Sequence, residues 1–311
     1  MRKQNKTNKV LVFGHGQIAD FVPQYFDNVV ISKSDVTKPE ELERDFVKYR
    51  PEVVINTAAK TSIDWCEQNK LEAFNINTLG ALKVWESCQK HNTFLVYFSS
   101  GCIFSSKSTK DVYSEKDTPN PACYYSWTKV WAENLLGKSP NLLIIRPRVI
   151  ISSKVDRRNT LSKWLVYSHF ISDENTVTII EDMMPVLRKM VDRRICGTYH
   201  VANKGTVSPL KVAYLLKKTI NPGMKIYTTN LSEVNRNLVA KRVTTILNTE
   251  ELKKQGFELP HVNEAIPTIV ERFKQNLIKA GGTSSLDAVR KETTEKYRAV
   301  SGKPTTFIDE N

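Results

Sequence analysis

From residue 9 to residue 147, short apolar runs alternate with longer segments whose apolar residues recur every three or four positions. The runs "KVLVF" (9–13), "VVIS" (29–32), "EVVINTAA" (52–59), "FLVYFSS" (94–100) and "NLLIIRP" (141–147) are rich in β-branched residues and predict buried strands. The intervening patterns, "QIADFVPQYF", "KPEELERDFVKY" and a long stretch near 67–91, predict helices. Strands alternating with helices imply βαβ units, a parallel sheet and right-handed crossovers, so the expected fold is α/β, a doubly wound parallel sheet.

Beyond residue 147 the alternation loosens. Helices near 158–170 and 208–219, with strand-like "TVTII" and "GTYHVA", predict a smaller α/β lobe. The expected organisation is a dinucleotide-binding domain over 1–150, a substrate-binding lobe interleaved with it over 151–276, and a polar, flexible tail over 277–311. The chain contains no internal repeat.

Composition narrows the chemistry. With 311 residues, 40% hydrophobic and 25% charged, the chain can bury one large core or two modest ones. Its first nine residues are basic, and the "VLVF" that follows is too short for a leader or a membrane span, so a cytoplasmic protein is expected. Five scattered cysteines form no C-x-x-C pair, and no ligand spacing suggests a metal. The net charge of +13 is spread along the chain without a basic arm, which favours phosphate-bearing small ligands over nucleic acid.

Gly14-His15-Gly16-Gln17-Ile18-Ala19 fits G-x-G-x-x-(G/A) between a strand and a helix. Such a turn lets the backbone approach a pyrophosphate and turns the helix N–H groups towards it. Gly14, Gly16, Gln17 and Ile18 are the expected contacts, joined by Ala58 and Ala59 after the third strand. The second strand ends in Ser32-Lys33-Ser34 rather than in a carboxylate, which suits a 2′-phosphate and favours NADPH, with NADH possible. Asp35 follows late and is assigned to the adenine side.

Tyr125 and Lys129 stand four apart in "YYSWTK", on one face of a predicted helix. A nearby ammonium favours the phenolate, which a tyrosine needs to exchange protons near neutral pH. Ser99-Ser100, ending a strand upstream, places a hydroxyl at the same sheet edge.

Together the glycine turn, "VINTAA", "FNINTLGALKV", "VYFSS", "YYSWTK" and "IIRP" resemble an extended short-chain dehydrogenase/reductase of the dTDP-4-dehydrorhamnose reductase type, over roughly residues 9–275. The segments "SIDWCEQNK", "SSGCIF", "EKDTPNP" and "RVIISSKVDRRNTLSKWL" are similar to the bifunctional 3,5-epimerase/4-reductases that make nucleotide-linked L-rhamnose. The resemblance implies that Ser100 and Tyr125 bind the C4 carbonyl oxygen. It implies that Lys129 holds the nicotinamide ribose, supported by Asn77 through backbone or water, and that Cys102 and Lys163 carry out epimerisation. The substrate it implies is a UDP- or dTDP-linked 4-keto-6-deoxy-glucose, with Arg242 the candidate diphosphate contact and a homodimer the usual assembly.

Inverting C3 and C5 of a 4-keto sugar requires removing a proton next to the ketone and returning one to the opposite face. Charge then develops on O4, where Ser100 and Tyr125 are already aimed. Two other readings stay open: a reductase without epimerase activity, and a non-catalytic regulatory subunit like that of methionine adenosyltransferase. The chain departs from the resemblance in a glycine turn one residue shorter than the usual G-x-x-G-x-x-G. Trp127 stands inside Y-x-x-x-K, where it should pack outward or at a subunit contact.

Overall fold

The computed structural model describes residues 9–108, 110–236 and 238–291. Each apolar run forms a short strand. β1 (Val10–Phe13) is wholly buried, and Gly14, at φ 104°, turns the chain into α1 (Gln17–Tyr25), which buries Ile18, Ala19, Phe21 and Val22. β2 (Val29–Ile31) leads to α2 (Pro39–Tyr49), where Pro39 opens the first turn with Glu40 and Glu41 beside the helix N-terminus. Arg50, in the left-handed region, ends that helix.

β3 (Val53–Asn56) precedes α3 (Ile63–Gln68), α4 (Lys70–Phe74), a π-helical segment Asn75–Leu79, and α5 (Gly80–Lys90). The single helix expected near 67–91 is therefore three joined pieces. The π segment is where the i→i−4 ladder gives way, and Asn77 sits at its centre.

β4 (Phe94–Phe98) runs into a 3₁₀ turn at Gly101–Ile103, followed by β5 (Val112–Tyr113), α6 (Tyr124–Leu136) and β6 (Leu142–Arg146). Next come β7 (Ile150–Ile151), α7 (Thr160–Trp164), β8 (His169–Ile171), β9 (Thr178–Ile179), α8 (Ile180–Asp192), β10 (Gly197–His200) and β11 (Asn203–Lys204). The chain continues through α9 (Pro209–Thr219), β12 (Tyr227–Thr229), α10 (Leu231–Arg236), β13 (Ile246–Leu247), α11 (Glu250–Lys254), β14 (Leu259–His261) and α12 (Val262–Lys279). The helix expected over 158–170 stops at Trp164, because the β-prone "HFI" instead pairs with Tyr227–Thr229.

The main sheet has six strands in the order β10-β6-β4-β3-β1-β2, and the pairings from β6 to β2 are parallel. Val10 sits opposite Val53, and Leu95 opposite Leu142. The order reverses direction at β1, the switch point of a doubly wound Rossmann-like sheet.

Two compact units emerge, and both are discontinuous in sequence. The first comprises the chain through Ile103, Tyr124–Arg146 and Met184–Tyr199; the second comprises Phe104–Cys123, Pro147–Met183 and the chain from His200. A single boundary at 150 therefore does not describe them: Phe104–Cys123 crosses into the second unit through the pairing of β5 with β13.

The expected flexible tail also needs correction. α12 extends to Lys279, and Leu286 and Val289, only 2% and 4% exposed, join Ile269, Phe273 and Leu277 in the core of the second unit. Residues 292–311, the rest of that expected tail, lie outside the described residues. Among the described residues no helix is long and apolar enough to cross a membrane.

Candidate active site

The glycine turn is shaped by two different constraints. A Cβ on Gly14 would lie 2.5 Å from Thr57 Oγ1 and 2.7 Å from the Ala58 backbone nitrogen, so the loop after β3 leaves room only for glycine. Gly16, the N-cap of α1, has ordinary extended dihedrals and no protein atom within 4 Å of a Cβ position. It therefore leaves an open cradle beside a helix N-terminus whose cap makes no side-chain hydrogen bond. Gln17 and Ile18 open that helix, and Ala58 and Ala59 are half-buried in the facing loop. Asn56, 1% exposed, accepts from the Ala58 N–H at 3.0 Å, while its Nδ2 has no partner. An open glycine cradle and an unmatched buried donor at one sheet edge fit a dinucleotide.

At the end of β2 the hydroxyls are already engaged. Ser32 Oγ donates to Asp45 Oδ2 and accepts from the Ser34 N–H at 2.9 Å, and Ser34 Oγ donates to the same carboxylate at 2.8 Å. Ser32 is thus a brace for the turn, and Lys33, exposed at its tip, is the group left to meet a phosphate. Asp35 caps its own turn: its Oδ1 accepts from the Thr37 N–H at 2.9 Å and the Thr37 hydroxyl at 2.8 Å, which holds its carboxyl below the usual range.

β4 and α6 bring the candidate catalytic residues of the first unit together. Ser100 and Cys102 share one tight turn, in which the Cys102 N–H donates to Ser100 Oγ at 3.1 Å. Ser100 is buried, while Cys102 keeps partial exposure. α6 packs on this turn and buries Tyr125 and Lys129 on one face, as their spacing requires. Lys129 Nζ donates to the Phe98 carbonyl at 2.9 Å and the Tyr97 hydroxyl at 3.3 Å. Burial draws this ammonium down to about 8, with Glu133 opposing the shift. Burial likewise pushes the Tyr97 hydroxyl well above its ordinary range.

Asn77 bonds the loop after β3 and the residue before Lys129. Its Oδ1 accepts from the Lys60 N–H at 2.7 Å, and its Nδ2 donates to the Lys60 carbonyl at 3.0 Å and to Thr128 Oγ1 at 3.1 Å. Thr78 Oγ1 donates to the Thr128 carbonyl at 2.9 Å. The π segment therefore fastens α6 to the loop after β3 through Thr128, and its hydrogen bonds do not reach the Lys129 side chain.

Lys163 and Arg242 belong to the second unit. Lys163 is half-buried on α7, whose N-cap Asn159 accepts from the Leu161 N–H and donates to the Ser152 and Lys154 carbonyls. Arg242 Nη1 donates to the Ala240 carbonyl at 2.8 Å, and its backbone is clamped by Asn235. Among the described residues no group of His, Cys, Asp or Glu side chains could hold a metal ion.

Three neighbours of the centre escape a reading of the sequence alone: Tyr97, Glu133 and Arg146. Glu133 takes the Ser99 hydroxyl and the Arg146 guanidinium, whose Nε lies 3.0 Å from Oε1. Both charged side chains are nearly buried, at 10% and 7% exposure. The available signal was spacing, since Glu133 follows Lys129 by one helical turn.

Comparison with known proteins gives the chain's family. The chain is 28% identical over 278 residues to the Arabidopsis thaliana trifunctional UDP-glucose 4,6-dehydratase/UDP-4-keto-6-deoxy-D-glucose 3,5-epimerase/UDP-4-keto-L-rhamnose-reductase RHM1, covering 85% of this chain but 42% of that protein. It is 29% identical over 252 residues to the bifunctional dTDP-4-dehydrorhamnose 3,5-epimerase/dTDP-4-dehydrorhamnose reductase of Arabidopsis thaliana, covering 78% and 84%. The crystal structure of the L780 UDP-rhamnose synthase from Acanthamoeba polyphaga mimivirus superposes with a TM-score of 0.79 at 26% identity, over 86% of this chain and 99% of that one. The RmlD substrate binding domain family matches residues 12–275, and the chain belongs to that family, the reductase family of the dTDP-4-dehydrorhamnose reductases.

Proposed function

We propose that this reductase makes a nucleotide-linked L-rhamnose from a nucleotide-linked 4-keto-6-deoxy-glucose by 3,5-epimerisation and NADPH-dependent reduction at C4. The observation that carries the reading is the tight turn that joins Ser100 and Cys102 and packs against α6, the helix that buries Tyr125 and Lys129. The Cys102 N–H occupies a lone pair of Ser100 Oγ, so the Ser100 O–H remains to donate to O4 of the sugar.

Gly14, Gly16 and the first turn of α1 hold the cofactor's pyrophosphate, and Lys33 meets the 2′-phosphate. Bound NADPH supplies the reducing equivalent for C4. Tyr125 gives its proton to O4, and Lys129 supports that exchange. In the epimerisation Cys102 moves a proton at a carbon next to the ketone, while Ser100 and Tyr125 stabilise the charge that develops on O4. Lys163, as the second proton-transfer group, and Arg242, as a diphosphate contact, rest on the family resemblance alone. The outward face of α6, with Trp127 at its centre, pairs with a second copy in a homodimer.

The test is incubation with NADPH and the UDP- or dTDP-linked 4-keto sugar in heavy water. Expected are cofactor oxidation and deuterium at both C3 and C5 of the product. Turnover only of sugar epimerised beforehand would reduce the chain to a 4-reductase, and absence of any turnover would exclude both enzymatic readings. Cys102→Ala should abolish deuterium uptake in at least one position while sparing reduction of pre-epimerised sugar. Full uptake by that variant would remove Cys102 from the mechanism.

A further inference from the structure

Lys129 is buried to 2% exposure, yet its hydrogen bonds go to two neutral groups, the Phe98 carbonyl and the Tyr97 hydroxyl. An ammonium in that setting pays for desolvation without a contacting anion. The titratable groups on α6 and the elements packed against it are Asp64, Cys66 and Glu67 on α3, Lys70 and Glu72 on α4, Lys83, Glu86, Cys88 and Lys90 on α5, Cys102 in the 3₁₀ turn, and Tyr124, Tyr125, Lys129 and Glu133 on α6, with Tyr97 of β4 bonded to Lys129. Burial keeps Tyr97 and Cys88 neutral. Glu67 is committed to the Tyr124 N–H at the first turn of α6. Glu133, one helical turn beyond Lys129 on α6, is the carboxylate whose charge opposes the effect of burial on that ammonium.

Glu133 is itself held in place from two sides. Arg146 of β6 donates to both of its oxygens, and Ser99, the residue before Ser100, donates to Oε1. We propose that Glu133 is a positioning residue of the active site: braced by Arg146 and Ser99, its carboxylate keeps the buried Lys129 ammonium charged and fixes the end of β4 next to Ser100. Its range of action is electrostatic, across one helical turn, and a glutamine of the same shape would keep one acceptor oxygen for Ser99 and Arg146 but lose the charge and the second Arg146 contact.

This inference rests on Lys129 serving the reaction, and two readouts separate its failure from failure of that reading. The first needs neither cofactor nor substrate. Lys129 titrates at about 8 in the folded chain against 10.5 ordinarily, so between those values the unfolded state holds more protons and stability rises with pH. The pH dependence of the unfolding midpoint, taken as the parent minus Lys129→Met, should therefore bend near pH 8. In a Glu133→Gln background the same difference should bend at least about one pH unit lower.

The second readout is kinetic. Glu133→Gln should move the basic limb of kcat to lower pH, with about fivefold loss at pH 8 for a one-unit shift, and leave the sugar KM within about twofold. Should Glu133→Gln leave Arg146 uncompensated and fail to fold, the pair Glu133→Gln/Arg146→Met removes both charges, and the bend must still move down. A bend at the same pH in both backgrounds, or a uniform drop in midpoint with an unchanged pH profile, overturns the proposal. A shifted bend in a protein without reductase activity keeps the electrostatic coupling and rejects the enzymatic reading instead.

Discussion

A Cβ at Gly14 would run into the backbone at Thr57 and Ala58, whereas a Cβ at Gly16 meets no protein atom. Gly14→Ala combines a forbidden φ with overlap against backbone and should cost about 2–5 kcal/mol in chemical unfolding. Gly16→Ala should change stability by less than about 0.5 kcal/mol while weakening NADPH binding roughly tenfold or more by calorimetry. Equal stability losses at both positions would show that Gly16 is constrained by the fold rather than by a ligand. The same contrast governs Ser32: its hydroxyl suggests a phosphate contact when read in sequence, but α2 brings Asp45 across to claim it.

Among the elements, α6 is divided by function along its length. Its inner face buries Tyr125, Thr128, Lys129, Ala132 and Leu136, and the π segment grips it through Thr128. Its outer face exposes Trp127 at 42% and Leu135 at 47%. Trp127 stacks on Trp131, whose ring also meets Phe74 and Tyr124 edge-on, giving a rigid aromatic surface that costs little entropy to bury. Trp127→Arg should therefore yield a monomer in sedimentation equilibrium at concentrations where the parent is a dimer, with the unfolding midpoint of the monomer little changed. A parent that sediments as a monomer would overturn the pairing.

For the whole molecule, the segment after the family domain completes the second core. The match to the family ends at residue 275, yet Leu286 and Val289 are buried in the same core cluster as Ile269, Phe273 and Leu277 of α12. Leu286→Ala should destabilise the protein by about 2–4 kcal/mol in denaturant, as for any buried leucine that leaves a cavity. A change under about 0.5 kcal/mol would return this segment to the flexible tail that its polar composition suggested.

The alternation of strands and helices, the glycine turn and the Tyr125–Lys129 spacing were legible from the residues because each depends on local pattern: apolar runs, a turn that needs glycine, and four positions on a helix. The division of the second unit was not, because the return of Phe104–Cys123 to β13 joins segments more than a hundred residues apart. Nor was the environment of Lys129. That its ammonium is buried against Tyr97, with the Glu133 carboxylate, itself held by Arg146 and Ser99, one helical turn away follows only when β4, α6 and β6 meet, since burial and charge pairing belong to the packed chain and not to any stretch of it.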